Sequence, residues 1–410
     1  MRGVASYTGS ILNNTIMSNR PWIIATSMLG IAAVFFVWHL VGTNSSMPLP
    51  LLSPREAPRD SNPPITNSFG IAVQLPNELD AQTFSRMIDE FSEPGGYFMY
   101  DNHLSNERSY QDPIPSLIEV VKPGGVYLGV GPEQNFTYIA ALHPAMAFII
   151  DIRRQNMIEL LMYKALFATA SDRAEFVSLL FSRRLSGSFS ERSSPEDLFH
   201  AAAEASASEK LFEQNLKLMK AQLHLNAADE QTLEDVYRVF FSVGPDLNYN
   251  SVNRYAPYGP SYANLMTLTD GRGENWSYLA SEESFRFVKT MQRKNLIVPI
   301  VGDFSGPKAI RTIAKYVKDH RARVSAFYVS NVEMYILASP QWKNYCRNVA
   351  DLPIDSSSMF IRFLIGPYAR VAAGSFGARN MSVIGPMIDV KTAMVKGYPP
   401  SYYDLIHASR

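Results

Sequence analysis

Residues 126–139 read VYLGVGPEQNFTYI, and Asp151 follows Gly129 by 22 positions. An apolar run, a Gly/Pro turn and a second apolar stretch at 136–142 describe a strand, a tight loop and a helix. Another apolar run at 147–150 ends on Asp151 and leads into a helical stretch at 156–167, so this part of the chain opens as β-α-β-α.

The same alternation returns further on. Residues 296–301 (LIVPIV) end in Gly302-Asp303, and Ser305-Gly306-Pro307 then opens a helix whose Ile310, Ile313, Ala314 and Val317 recur at helical spacing. Strands are expected next at 324–329, ending in Ser330-Asn331, and at 359–365. Strands alternating with helices predict an α/β fold with a doubly wound, mostly parallel sheet. Pro299 fits its strand poorly, because proline removes a ladder donor. Between the two halves, residues 170–290 are helical in pattern. Ser194-Pro195-Glu196-Asp197 is a helix start, and Leu233, Val236, Tyr237, Phe240 and Phe241 form an apolar stripe whose ordinary reading is core. The length of this insertion suggests a helical cap over the carboxyl edge of the sheet.

Upstream, residues 22–41 (WIIATSMLGIAAVFFVWHLV) carry no charge and follow a tail at 1–21. At ~1.5 Å per residue such a helix crosses a hydrocarbon core of ~30 Å, and Trp22 and Trp38 sit near its ends, where aromatic rings favour the headgroup zone. The expectation is a single-pass membrane anchor; a cleaved signal peptide is the alternative, since Val41, Gly42, Thr43 and Ser45 are small. Arg2 and Arg20 precede the span, whereas Arg55 and Arg59 follow only after an uncharged gap, which points to a domain on the non-cytosolic side. Residues 42–65 are a Pro-rich linker to a domain expected over 66–410.

The 38 basic and 38 acidic residues cancel, so no electrostatic footprint argues for nucleic acid. Cys346, the sole cysteine, reads as a buried small hydrophobe. No metal-ligand spacing such as H-E-x-x-H, no G-x-S-x-G elbow and no Walker loop occurs, so neither a metal nor a covalent nucleophile is expected.

Glycines at a strand-to-helix turn let the backbone approach a ligand closely, and an acid ending the second strand can accept both hydroxyls of a ribose. Gly129 and Gly131 would equally serve a tight turn, and Asp151 and Asp303 would equally cap the helices that follow. The strand, Gly-x-Gly loop, helix, strand and terminal acid resemble the class I S-adenosylmethionine-dependent methyltransferase superfamily with its Rossmann-like fold. The blocks GVGPEQNFTYIA (129–140), NLIVPIVGDFSGPKAIRTIA (295–314) and AFYVSNVEMYI (326–336) are closer still to an uncharacterised family of bacterial hypothetical proteins with that fold, over roughly residues 70–365.

The resemblance implies S-adenosylmethionine as cofactor. Gly129 and Gly131 would line its methionine part, with Glu133 and Asn135 in the same loop, Asp151 at the ribose and Asp303 by the adenine. Ser330, Asn331 and Glu333 would face the transferred methyl group. The chain departs from the superfamily pattern at Tyr127, where an acid is usual, and at Glu133, where a third glycine is usual. A dinucleotide fingerprint fails at Gln134, and Arg153 and Arg154 read as exposed first-turn charges rather than as a ribose-phosphate site. Residues 95–111 are expected either as a flap over the pocket, with Tyr100, Asn102 and Glu107 in contact, or as a surface loop. Two functions follow: a membrane-tethered methyltransferase acting on an unknown small-molecule or protein acceptor, or an inactive binding or scaffold protein that keeps the fold. S-adenosylmethionine is made in the cytosol, so the expected topology pulls against the first.

Overall fold

Five short apolar runs and one mixed segment become the strands β1 (Val126–Gly129), β2 (Met146–Asp151), β3 (Ile297–Val301), β4 (Val324–Ser330), β5 (Met359–Ile365) and β6 (Asn380–Pro386). They form one sheet in the order β3-β2-β1-β4-β5-β6. The first five run parallel and β6 runs antiparallel to β5. Every residue of β1, β2 and β3 is buried, as a parallel sheet covered on both faces requires. The computed structural model describes residues 74–249, 259–337 and 340–409, which belong to one compact unit. The expected anchor at 22–41 and the linker at 42–65 lie outside the described residues; among those described, no helix is long and apolar enough to cross a membrane.

The helices that position the site are, in chain order, α1 (Ala81–Phe91), α2 (Ile114–Val120), α3 (Gln134–Leu142), α4 (Arg154–Thr169), α5 (Arg173–Phe181), α6 (Pro195–Glu204), α7 (Glu209–Leu223), α8 (Ala227–Val243), α9 (Tyr262–Thr267), α10 (Glu282–Arg293), α11 (Ala309–Asp319), α12 (Val332–Ile336) and α13 (Pro340–Asp351). The chain steps outward from β1 to β2 to β3, then returns to lay β4 against the other side of β1. Right-handed crossovers put α3 and α4 on one face and α11 and α13 on the other. In keeping with this, α10 packs on α3 and α4 while α11 packs on α13. Loops leaving β1 and β4 therefore part in opposite directions and open a crevice at the carboxyl edge.

The proline in β3 has a simple explanation. β3 is an edge strand, and its partner bonds run from Ala147 N–H to the Leu296 carbonyl and from Gly302 N–H to the Asp151 carbonyl. Even-numbered residues thus face β2, and the missing N–H of Pro299 faces away from the ladder. The strand β6 (NMSVIGP) was not anticipated, since Asn380, Ser382, Gly385 and Pro386 dilute its apolar signal.

The insertion after α4 is helical and packs chiefly on α3 and α4, and among its described residues Tyr249 reaches the cavity at the carboxyl edge. Helix α4 touches β2 and β3 on one side and α5, α7, α8 and α10 on the others. Its buried residues run almost continuously from Asn156 to Phe167, so α4 offers the apolar stripes of the insertion a closer partner than the sheet edge does. The capping box foreseen at Ser194 forms, with Asp197 bonding back to the Ser194 backbone.

Candidate functional site

A cavity of ≈ 780 Å³ fills the crevice at the carboxyl edge, within the usual range for small-molecule sites. The loop after β1 contributes Gly131 and Gln134, the end of β2 Asp151 and Arg153, the turn after β3 Asp303 and Phe304, and the end of β4 Ser330 and Asn331. Strand ends far apart in sequence thus bring Gly131, Asp151, Asp303, Ser330 and Asn331 to one wall. Tyr100, Asn102 and Glu107, from the segment before β1, line it as well. Gly129, Glu133, Asn135 and Glu333 do not line it; each is occupied behind the wall.

Gly129 leaves room for Asn135. A Cβ at Gly129 would stand 1.9 Å from Asn135 Oδ1. That oxygen accepts the Tyr127 hydroxyl at 2.9 Å, and Asn135 Nδ2 donates to the carbonyls of Val130, Gly131 and Pro132 at 2.9, 3.2 and 2.7 Å. Tyr127 therefore anchors the asparagine that ties the loop. Gly131 has φ +77, a conformation that suits glycine, and it faces the cavity.

Glu133 turns inward. It is fully buried, and burial pushes its carboxyl up to about 8, so it is mostly protonated at neutral pH. Its Oε1 lies 3.5 Å from the Ser105 backbone N–H, and among the described residues its Oε2 has no partner. The neighbouring acid Glu159, also raised by burial, lies 2.9 Å from His103 Nδ1 and so pins the incoming segment to α4.

Arg153, expected as an exposed charge, is buried in the cavity wall. Its Nε and a terminal nitrogen each lie 3.0 Å from an Asp151 oxygen, and its other terminal nitrogen donates to the Asp101 and Asn102 carbonyls. The guanidinium thus joins the end of β2 to the upstream segment. Asp303 accepts both the Ser305 N–H at 2.7 Å and the Ser305 hydroxyl at 2.8 Å. Helix α11 is capped from a distance: Glu93 Oε1 accepts the N–H groups of Lys308 and Ala309 at 2.7 and 2.8 Å, and Oε2 that of Asp303 at 3.1 Å.

Glu107 is a further acid lining the cavity. Its Oε1 accepts the Tyr328 hydroxyl at 2.7 Å and the Ser330 hydroxyl, and burial pushes its carboxyl up to about 7 against these bonds. Ser330 holds this position with φ +52, an uncommon conformation for a residue with a side chain. Gln134 Nε2 donates to the Tyr328 oxygen at 2.9 Å. Towards solvent, Phe98 packs against both Tyr100 and Tyr335, and Tyr100 against Tyr249.

Glu333 accepts Arg362 at 2.6 and 3.1 Å and the Tyr345 hydroxyl at 2.8 Å, all beneath the surface. It fastens α12 to β5 and α13 and does not face the cavity. Cys346 lies near this pair, and burial pushes its thiol up to about 12, out of the nucleophilic range.

Among the described residues no group of three or more His, Cys, Asp or Glu side chains is placed to hold a metal ion. Residues 103–395 match the family described as Domain of unknown function (DUF7790). The chain belongs to that family. The match covers all six strands and the whole insertion, but begins after the cavity-lining aromatic residues Tyr97, Phe98 and Tyr100. No curated protein matches the chain. Sequence reasoning missed Gln134, Ser105 and Arg153 as cavity residues. For Gln134 a signal existed, since it stands at the start of the helix that follows the glycine loop; for Arg153 its place two residues after Asp151 was the clue.

Proposed function

We propose that the protein binds S-adenosylmethionine in the carboxyl-edge cavity and transfers its methyl group to an acceptor, as a member of the methyltransferase-like superfamily. The observation that carries this reading is the charge of the wall. Among the described lining residues the acids are Glu107, Asp151 and Asp303, and the sole cation, Arg153, is paired with Asp151. Such a wall suits a cationic nucleoside, and it disfavours the pyrophosphate of a dinucleotide, which needs unpaired donors or cations.

The residues fit this ligand in kind. Asp151 Oδ1 already accepts the Arg153 backbone N–H and Nε–H, but Oδ2 takes only the Arg153 terminal nitrogen and keeps a lone pair for a ribose hydroxyl. Gly131 allows close approach to the loop, and the rings of Phe98, Tyr100 and Tyr335 offer faces to a positive sulfonium. The cofactor, when bound, supplies an activated methyl group whose carbon–sulfur bond breaks as the acceptor's lone pair attacks. The chain's own part is to align the acceptor and exclude water, which dominates such a transfer. Residues 22–41 fit a membrane anchor for this domain, facing away from the cytosol.

Calorimetric titration of the full chain with S-adenosylmethionine and S-adenosylhomocysteine tests the reading. Binding is expected, and Asp151→Ala is expected to weaken it by ~1–3 kcal/mol. No heat and no thermal shift at millimolar ligand would sink it. A binding protein without turnover is the second reading, favoured by Tyr127 and by the loss of a free acid in the glycine loop. It predicts that S-adenosylmethionine binds but labels no component of a cell extract. Reporters active on only one side of the membrane, fused after Arg410, decide the topology.

A further inference from the structure

A lobe projects from the rim of the cavity. Strand β5 ends at Ile365 and β6 begins at Asn380, both in the cavity wall. Between them lie α14 (Pro367–Ala373) and a turn, closed at the neck where the Gly366 N–H donates to the Arg379 carbonyl at 2.7 Å. Phe376 stands in that turn, 99 % exposed, and a Cβ placed on nearby Gly374 would meet nothing within 4 Å, so the tip projects into open space. One exposed apolar side chain is ordinary. Here the incoming segment and α12 also expose Tyr97, Met99 and Tyr335, at 86, 66 and 59 %. Tyr97 and Tyr335 line the same cavity as Ile365 and Asn380, and Tyr335 packs on Phe98, so these groups share one margin.

Three arginines surround the lobe. Arg370 is on α14 and Arg379 at the neck, while Arg108 precedes Ser109, whose hydroxyl lies 3.0 Å from that of Ser382, two residues beyond Asn380. All three are exposed, and among the described residues none of them has a salt-bridge partner. No acid occurs between Asp355 and Asp389. Projecting aromatic groups beside unpaired arginines match a bilayer surface, where rings enter the headgroup zone and guanidiniums pair with phosphates. A protein partner needs a broad complementary face instead, which a narrow tip beside a concave mouth does not offer. Residues 42–73, about 32 residues, span up to ~100 Å when extended, so a domain tethered by the proposed anchor at 22–41 can lay this rim on the same membrane. We propose that the lobe at 366–379, with the rim aromatic residues, docks on an anionic phospholipid surface and turns the cavity mouth toward the bilayer. Phe363 and Ile365 make the cavity wall at the root of the lobe apolar, in keeping with a mouth that opens on lipid. The inference rests on the proposed anchor for nearness alone, and not on methyl transfer.

The test places an environment-sensitive fluorophore on Ser375→Cys of the full chain, where the exposed thiol reacts and the buried Cys346 does not. The protein is combined with vesicles of phosphatidylcholine, with or without phosphatidylglycerol, that carry a quencher on their acyl chains. Quenching is expected to be about threefold or more stronger with phosphatidylglycerol, because each arginine near the surface adds to the attraction. The combined variant Arg108→Gln, Arg370→Gln, Arg379→Gln should lose that difference, and Phe376→Ser should lower quenching in both vesicles. The comparison of the two vesicles needs no variant, so it stands even if a substitution disturbs the fold. A fluorophore on Glu213→Cys, exposed on α7, should stay unquenched. Equal quenching in the two vesicles, or at positions 375 and 213, overturns the docking. So does a blue shift that appears without vesicles and grows with protein concentration, which would make the lobe a contact between copies. A fluorophore that stays in water while the protein floats with both vesicles overturns the docking and leaves the anchor standing. Flotation with phosphatidylglycerol vesicles alone, with quenching at 375, sustains the docking and removes the anchor. If the protein floats with neither, both fall.

Discussion

The Tyr328 hydroxyl donates to Glu107 Oε1 at 2.7 Å, across 221 positions of sequence. The same phenol oxygen receives Gln134, so one group orders two sides of the cavity. Tyr328→Phe removes both bonds and is expected to destabilise the fold by ~1–3 kcal/mol, read as a shifted denaturation midpoint. It also removes an interaction that holds the Glu107 carboxyl down, so the value of about 7 should rise further. The pH dependence of stability should carry this titration near 7, with its midpoint displaced upward in Tyr328→Phe. A midpoint that does not move would show that Tyr328 does not hold the Glu107 carboxyl down.

Glu133 predicts how stability varies with pH. Its carboxyl is raised from 4.5 to about 8 in the folded chain. The native state therefore holds its proton over a range in which the unfolded chain has released it. The stability this group contributes is fully present below about 4.5, declines as pH rises, and is gone once pH has passed through about 8. Glu133→Gln should remove that decline, leaving the melting temperature little changed at acid pH and higher by ~2 °C or more at alkaline pH. Parallel melting curves of the two proteins across this range would contradict the assignment.

Glu333 and Arg362 form a pair with 0 % and 1 % side-chain exposure. Removing one partner strands the other charge in the interior, and Glu333→Ala is expected to cost ~3–5 kcal/mol. The folded fraction should still bind nucleoside as the unaltered chain does, since Glu333 does not touch the cavity. Selective loss of binding with unchanged stability would return Glu333 to the site.

The two loop glycines are expected to separate by their effects. Gly129→Ala drives a Cβ into Asn135 Oδ1, breaking the bonds that tie the loop, and should appear in denaturation as a loss larger than ~2 kcal/mol. Gly131→Ala meets only Gln134 Nε2 at 3.4 Å, so its cost is the ~1–2 kcal/mol of positive φ, together with weaker ligand binding at the cavity wall. Equal stability losses, with binding intact in Gly131→Ala, would remove Gly131 from the ligand's path.

Much of the architecture was legible because buried parallel strands are written as short apolar runs closed by turn residues. That signal placed β1 to β5 within a residue or two. It failed for β6, where an edge strand mixes Asn380, Ser382 and Gly385 into the run, and it misjudged Pro299, whose tolerance depends on which side of β3 is paired. In the site, Asp151, Asp303, Ser330 and Asn331 converge because parallel strands end together. Glu333 lies only two residues beyond Asn331, yet one turn of helix sends it beneath the surface to Arg362. His103 with Glu159, and Glu107 with Tyr328, could not be read, because what buries each charge is a partner 56 or 221 positions away.

The cap that Glu93 places on α11, and the grip of Arg153 on the Asp101 and Asn102 carbonyls, separate descent from shape. The stretch shared with the family starts at His103, but the rim of the cavity is finished by residues that come before it. Two chains alike from that point onward and different ahead of it would share a floor and differ at the door. Choice of what enters can therefore change by altering a few leading residues, while the sheet and its loops stay as inherited.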